Sequence, residues 1–280
     1  MSQPDSDRRP LAAARSFLFV PGHRPELFAK AADSAAEVII LDLEDAVGPG
    51  DKDAARDHVR NRLAGGSRAV VRVNAPGTRW HDDDVAAVGR LAWALMVPKS
   101  ERPADLRALS GCGSALIPLL ETAAGIARAE SLCAVPAVVR PAFGSIDLAA
   151  QLGVRPDSHE ALRYARSAVV LAAAAAGVAP PIDGVTSTLD DPAVLGADID
   201  HARLLGFTAK MCVHPRQAPL INAGFHPTPE EIAWARTVMA AAPADGSVTA
   251  IGGEMIDRPV LLRAEAILAS VDIPVSRHRG

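Results

Sequence analysis

Aromatic residues are scarce in this chain, at 4% of its 280 residues, so its core has to be built from Ala, Val, Leu and Ile. Small side chains of that kind suit close packing of helices on a sheet. Cysteine is nearly absent: Cys112, Cys133 and Cys212 stand far apart, with no CxxC or zinc-finger spacing. That pattern excludes a disulfide scaffold and reads as free thiols in a reducing cytoplasm. No long apolar run is present either. The longest, Ala168 to Val178, falls well short of the ~20 residues a membrane helix needs. Charge of one sign is also missing, since the formal net charge is only −4 with acids and bases interspersed. Without a basic stripe there is no counterion-release term for nucleic acid, which is not expected as a partner. The first residues carry Asp5, Asp7, Arg8 and Arg9 but no apolar segment of signal-peptide type. Residues 1–14 are therefore expected to form a disordered tail.

What the chain does have is rhythm. Apolar runs at Ser16–Val20, Glu37–Leu43, Ala69–Val73, Ala94–Val97, Ala115–Leu119, Ala137–Phe143, Pro181–Val185 and Thr208–Val213 alternate with helical patterns. The runs do not alternate polar with apolar residues, as expected of parallel strands buried on both faces. Eight such units in about 210 residues predict an α/β fold, a closed (β/α)₈ TIM barrel over residues 15–224. A doubly wound sheet would want a glycine-rich loop after its first strand, and Pro21-Gly22-His23-Arg24-Pro25 has one glycine. Residues 225–280 are left over as a C-terminal helical extension, read as a lid packing on a neighbouring subunit or on the barrel's outside.

Working residues of such barrels sit at the C-terminal ends of the strands. Those ends carry His23-Arg24, then Asp42, Glu44 and Asp45, then Arg72 and Asn74, Pro98-Lys99, Glu121-Thr122, Gly144-Ser145-Ile146-Asp147 and His214-Pro215. Charge this dense beside an apolar wall is costly unless it is paired or bound to an ion. Glu121 ends an apolar strand, and Asp147 follows a glycine-containing turn. Two such carboxylates suit Mg²⁺, which takes one or two of them and completes its octahedron with water and substrate oxygens. By spacing alone they serve equally as an acid/base pair. A guanidinium directed into a barrel, as Arg72 is, needs an anion: either Asp42 or Glu44, or a substrate carboxylate or developing enolate.

The segments Arg15-Ser16-x-Leu18-x-Val20-Pro21-Gly22-x-Arg24-Pro25, Leu41-Asp42-Leu43-Glu44-Asp45-Ala46-Val47, Val71-Arg72-Val73-Asn74, Pro98-Lys99, Leu119-x-Glu121-Thr122-Ala123, Phe143-Gly144-x-x-Asp147-Leu148 and Gly206-Phe207-x-x-Lys210-x-Cys212-x-His214-Pro215 together resemble the citrate lyase β-subunit-like branch of the HpcH/HpaI aldolase superfamily. Their order and approximate spacing hold from Arg15 to about Asp257. The resemblance implies a Mg²⁺-dependent carbon–carbon lyase that cleaves a short-chain 3-hydroxyacyl-CoA to a 2-oxo acid and an acyl-CoA. It places Mg²⁺ on Glu121 and Asp147, with Glu121 also at the substrate. Arg72 is expected on substrate oxygens, Asp42 among the catalytic groups, and Arg24 and Lys30 near the CoA phosphates. It further implies a homotrimer in which Gly253-x-Met255-Ile256-Asp257-x-Pro259 closes over a neighbour's site and brings Asp257 as the catalytic acid. Read locally, Asp257 is equally a helix N-cap before Pro259. Two other activities stay open: a pyruvate-type class II aldolase acting on free hydroxy acids, and a citrate lyase β subunit dependent on an acyl carrier.

Overall fold

In the computed structural model, residues 5–242, 249–251 and 254–271 are described. Eight parallel strands close into a barrel in sequential order, β1 pairing with both β2 and β8. The first four are β1 (Ser16–Pro21), β2 (Val38–Asp42), β3 (Val70–Arg72) and β4 (Ala94–Val97). The others are β5 (Ala115–Leu120), β6 (Ala142–Phe143), β7 (Ile182–Asp183) and β8 (Ala209–Cys212). Helix α1 (Asp5–Ala13) precedes β1. Around the barrel come α2 (Glu26–Ala32), α3 (Lys52–Ala64), α4 (His81–Val88), α5 (Pro103–Leu109), α6 (Ala123–Ala127), α7 (Ala129–Cys133), α8 (Ser145–Leu152), α9 (His159–Ala175), α10 (Pro192–Leu205) and α11 (Ala218–Gly224). This is the (β/α)₈ barrel expected from the apolar rhythm. The sixth and seventh strands are shorter than their apolar runs suggested, and the α8 turn after β6 was not anticipated. Among the described residues no helix is long and apolar enough to cross a membrane.

Strand alternation sorts the side chains into two layers. Phe17, Val38, Ile40, Val70, Met96, Ile117 and Met211 pack together inside the barrel. Their neighbours of opposite parity, among them Leu18, Ile39, Leu41, Val71, Leu95 and Leu116, pack against the helices. Continuing the inward parity by two residues gives Asp42 after Ile40, Arg72 after Val70 and Glu121 after Leu119. All three therefore reach the C-terminal mouth of the barrel on the inside.

The N-terminal tail departs from expectation. Residues 5–13 form a helix rather than a disordered segment, with Leu11 and Ala14 fully buried. They cluster with the interior residues and so floor the N-terminal end of the barrel, where apolar surface would otherwise face water. Arg140 holds this floor. Its guanidinium donates to the carbonyls of Leu11 (3.4 Å), Ala14 (2.8 Å), Pro180 (2.9 Å) and Pro181 (3.5 Å), and to Thr208 Oγ1 (2.8 Å). A cation beside the last carbonyls of α1 also meets the negative end of that helix.

After the barrel, α12 (Pro229–Ala241), a hairpin of β9 (Thr249–Ile251) and β10 (Glu254–Ile256), and α13 (Arg258–Val271) form a separate small layer. Ala235, Val238, Ile256 and Ala264 make its core. A capping box between Thr228 and Glu231 starts α12. Arg203 of α10 ties that helix to the barrel through Glu231 Oε2 at 2.9 Å.

Candidate active site

The C-terminal ends of β2, β3, β4 and β5 bring Asp42, Glu44, Arg72, Lys99 and Glu121 together, and the first turn of α8 adds Asp147. Asp42 and Arg72 are register partners in adjacent strands, which lets them meet in bidentate fashion. Arg72 Nε donates to Asp42 Oδ1 and Nη2 to Oδ2, both at 2.7 Å. Asp42 also accepts the backbone N–H groups of Glu44 (2.9 Å) and Ala46 (3.1 Å). With four donors on a carboxylate that is 1% exposed, Asp42 has no face left for substrate. It was expected among the catalytic groups; its geometry makes it the residue that orients Arg72 and the β2–α3 loop. Arg72 keeps Nη1 for the mouth, 3.1 Å from Glu44 Oε2 and 3.6 Å from Asp45 Oδ2. Asp42, Glu44 and Asp45 outweigh the burial that would weaken its charge and hold its pKa above the ordinary arginine value.

A second network fixes the same loop from behind. Lys52, buried on α3, donates to the carbonyls of Leu43 (2.7 Å) and Glu44 (2.8 Å) and to Asn74 Oδ1 (2.6 Å). Asp84 Oδ2 in turn accepts Asn74 Nδ2 (2.6 Å) and N–H (3.0 Å), while its Oδ1 accepts Arg56 Nε (2.8 Å). No role for Lys52, Arg56 or Asp84 was expected. Nothing in a helical stretch such as Lys52–Arg56 distinguishes an inward lysine from a solvated one before β2 and β3 are in register.

Glu121 is 2% exposed, and one oxygen accepts the Lys99 N–H at 2.9 Å. Burial foremost, then the charges of Glu44 and Asp147, raise its carboxyl to about 8, although Lys99 pulls the other way. Gly144 makes room for it. A Cβ at that position would lie 2.4 Å from Glu121 Cβ and 2.8 Å from Oε2. Gly144→Ala is therefore expected to push the carboxylate out of place and, with Glu121 as the proposed metal ligand, to weaken Mg²⁺ binding by roughly 10–100-fold with the fold retained, as read by titration calorimetry alongside circular dichroism. Asp147 is partly exposed and lies 3.6 Å from Lys99 Nζ, which also approaches Glu121 Oε1 at 3.9 Å. Glu121 and Asp147 thus face one cation, as two ligands of one ion would.

The site holds five carboxylates (Asp42, Glu44, Asp45, Glu121, Asp147) against the cations Arg72 and Lys99. Among the described residues no group of three or more His, Cys, Asp or Glu forms a complete metal cage. A donor set of two carboxylates at an open mouth, short of positive charge, is what Mg²⁺ accepts, because it keeps waters and substrate oxygens in its remaining positions.

Other expected residues lie apart from this cluster. Arg24 is exposed and pairs with Glu26 two residues on, and Lys30 is exposed on α2. Asp257 is half-buried, and its Oδ1 accepts the Val260 N–H at 3.2 Å, so within its own chain it caps α13. Gly253 of the same segment lies outside the described residues.

The HpcH/HpaI aldolase/citrate lyase family profile matches residues 15–215, from the first strand through the loop after the eighth. The chain belongs to this family. Among its relatives, a citrate lyase subunit beta-like protein of Mycobacterium tuberculosis is 38% identical over 264 residues, covering 92% of this chain and 95% of that protein. A (3S)-malyl-CoA thioesterase of Cereibacter sphaeroides is 36% identical over 279 residues, covering 91% and 96%. The crystal structure of CitE from M. tuberculosis in complex with magnesium, acetoacetate and coenzyme A superposes with a TM-score of 0.80 at 36% identity, covering 94% of this chain and all of that one. The family resemblance drawn from the strand-end motifs is thereby confirmed, and the family's residues 15–215 coincide with the barrel that carries the site.

Proposed function

We propose that this protein cleaves the C2–C3 bond of a short-chain 3-hydroxyacyl-CoA of the citryl, malyl or citramalyl type, giving a 2-oxo acid and an acyl-CoA. The observation that carries the reading is the mouth cluster, in which buried Glu121 and partly exposed Asp147 converge beside the pinned guanidinium of Arg72. Relatives bound to magnesium together with acetoacetate and coenzyme A, or with oxaloacetate, support the same choice of metal and substrate class.

Glu121 and Asp147 would hold Mg²⁺, which when bound supplies Lewis-acid polarisation of the substrate's oxygens. The protein's own residues do the rest. Arg72, locked by Asp42, directs Nη1 at the oxygens that gain charge. Preorganised positive charge of this kind lowers the barrier because it needs no rearrangement during the reaction. The 3-hydroxyl gives its proton to water at the open mouth, the oxygen's electrons form the C=O bond of the 2-oxo acid as the C2–C3 bond breaks, and the electron pair of that bond stays on the acyl-CoA fragment as its enolate. Asp257 from a neighbouring subunit returns a proton to that carbon, or removes one in the reverse condensation. Arg24, in the turn after β1, and Lys30, on α2, are both exposed and would meet the CoA phosphates. On this reading the working form is a homotrimer in the cytoplasm, with residues 225–280 lying over a neighbour's barrel.

The thioesterase relative favours hydrolysis of the same ester as a second reading. A panel of citryl-, malyl-, methylmalyl- and citramalyl-CoA, run with Mg²⁺ and with chelator, decides between them. Cleavage yields a 2-oxo acid and an acyl-CoA without free thiol, whereas hydrolysis yields free CoA. The expected result is Mg²⁺-dependent release of the oxo acid from one or more thioesters, lost in chelator. Equal turnover with chelator would remove the metal from the reaction. Activity on free hydroxy acids alone would make the protein an aldolase, and inertness on every free thioester would make it a carrier-dependent subunit.

A further inference from the structure

Lys99 is the residue of the site whose geometry the reaction above leaves unused. Its Nζ lies 2.8 Å from Glu44 Oε1, 3.6 Å from Asp147 Oδ1, 3.9 Å from Glu121 Oε1 and 4.0 Å from Asp45 Oδ2. Among the described residues no other cation of the site is placed this way. Arg72 is pinned by two bonds to Asp42, whereas the Lys99 side chain is 39% exposed and its ammonium, on a four-carbon stem, makes one hydrogen bond, to Glu44 Oε1.

The chain goes out of its way to put it there. Inward residues of β4 are Ala94 and Met96, so an extended continuation would turn Lys99 outward toward the helices. Instead Lys99 has φ +48°, a left-handed conformation that a residue with a Cβ rarely adopts. Its own N–H, bonded to Glu121 Oε1, fixes that turn. One residue thus binds Glu121 through its backbone and reaches four of the site's five carboxylates through its side chain.

We propose that Lys99 is the resident counter-cation of the metal site. Its ammonium gathers Glu44, Asp45, Glu121 and Asp147 while no divalent ion is bound, and withdraws toward Glu44 and Asp45 when one takes Glu121 and Asp147. Lys99 is then a positioning residue that lowers the affinity for Mg²⁺ and keeps the ligands in place for it. This rests on the assignment of the metal to Glu121 and Asp147.

The test is Mg²⁺ titration calorimetry on the full chain and its Lys99→Met variant, with thermal melts of both in chelator and in excess Mg²⁺. Removing one positive charge a few ångströms from a divalent ion is expected to tighten Kd by about tenfold or more. The variant should melt lower than wild type in chelator and gain more from Mg²⁺. A variant Kd within twofold of wild type overturns the role of Lys99 while leaving the metal assignment standing. Absence of binding in both proteins overturns the metal assignment and this role with it. A measurement that needs no variant is the crystal structure of the wild type with and without Mg²⁺. Nζ should stay on Glu44 and leave Asp147 in the loaded form; an ammonium that keeps its place between Glu121 and Asp147 overturns the proposal.

Discussion

Glu121→Gln is expected to abolish Mg²⁺-dependent turnover while making the metal-free protein more stable in alkali. The loss of activity follows from removing a proposed metal ligand. Lewis-acid stabilisation worth several kcal/mol corresponds to roughly a thousand-fold or more in rate. The gain in stability follows from linkage. Burial, with Glu44 and Asp147 nearby, raises the folded-state pKa of Glu121 from 4.5 to about 8. Between those values the folded protein holds a proton that the unfolded chain does not, so stability falls as pH rises from about 4.5 to 8 and levels above that. Glutamine copies the protonated acid in size and neutrality and removes this slope. Melting temperatures in chelator across pH 5 to 9 should therefore coincide for the two proteins at the acid end. They should separate as pH rises, with the variant higher. Parallel profiles would mean that Lys99 keeps Glu121 an anion throughout.

The same carboxylate shows where the sequence was readable and where it was not. Glu121 ends a run of apolar residues, and strand parity alone points it inward, so both the barrel and the presence of an acid at its mouth could be read in advance. Arg72 was legible for the same reason. Asp42 was legible as part of the site but not in its role: only the register that sets Asp42 beside Arg72 shows that its oxygens are used up. Lys99 was legible as a strand-end residue and no more. Its parity directs it away from the mouth, and a left-handed lysine leaves no mark in the sequence as a glycine would. Helix α1 escaped notice because its segment, Asp-Ser-Asp-Arg-Arg-Pro-Leu-Ala-Ala, is polar and contains a proline. Its folding depends on Leu11 finding the end of a barrel whose closing strands, β6 to β8, lie more than a hundred residues away. Local pattern predicts what a segment buries against its own neighbours. It is blind to a partner supplied by closure of the whole sheet.

That partner is Arg140, and Arg140→Met should be the most destabilising of these substitutions. Arg140 is fully buried, and burial lowers its pKa to about 9, with only the distant pull of Glu37 opposing. Among the described residues no carboxylate forms an ion pair with it. Its charge is held by carbonyl dipoles from α1, from Pro180 and Pro181 before β7, and by Thr208 before β8, so one side chain joins three parts of the chain at the barrel floor. Methionine fills much of the volume but supplies no donor, leaving several buried acceptors unsatisfied at about 1–3 kcal/mol for each one that stays dry. Partial relaxation brings the expected loss to about 3–5 kcal/mol, comparable to breaking a buried ionic contact. For a chain of this size that lowers the melting temperature by roughly 10 °C. Arg140→Lys keeps the charge but has three donors in place of five, and should fall between. Because Arg140 precedes β6 while the proposed metal ligands follow β5 and β6, the two ends of the barrel are separable. The variant's Mg²⁺ affinity, measured below its melting temperature, should match the wild type within twofold. A stable Arg140→Met protein would show instead that the apolar floor of Leu11 and Ala14 closes the barrel without the cation.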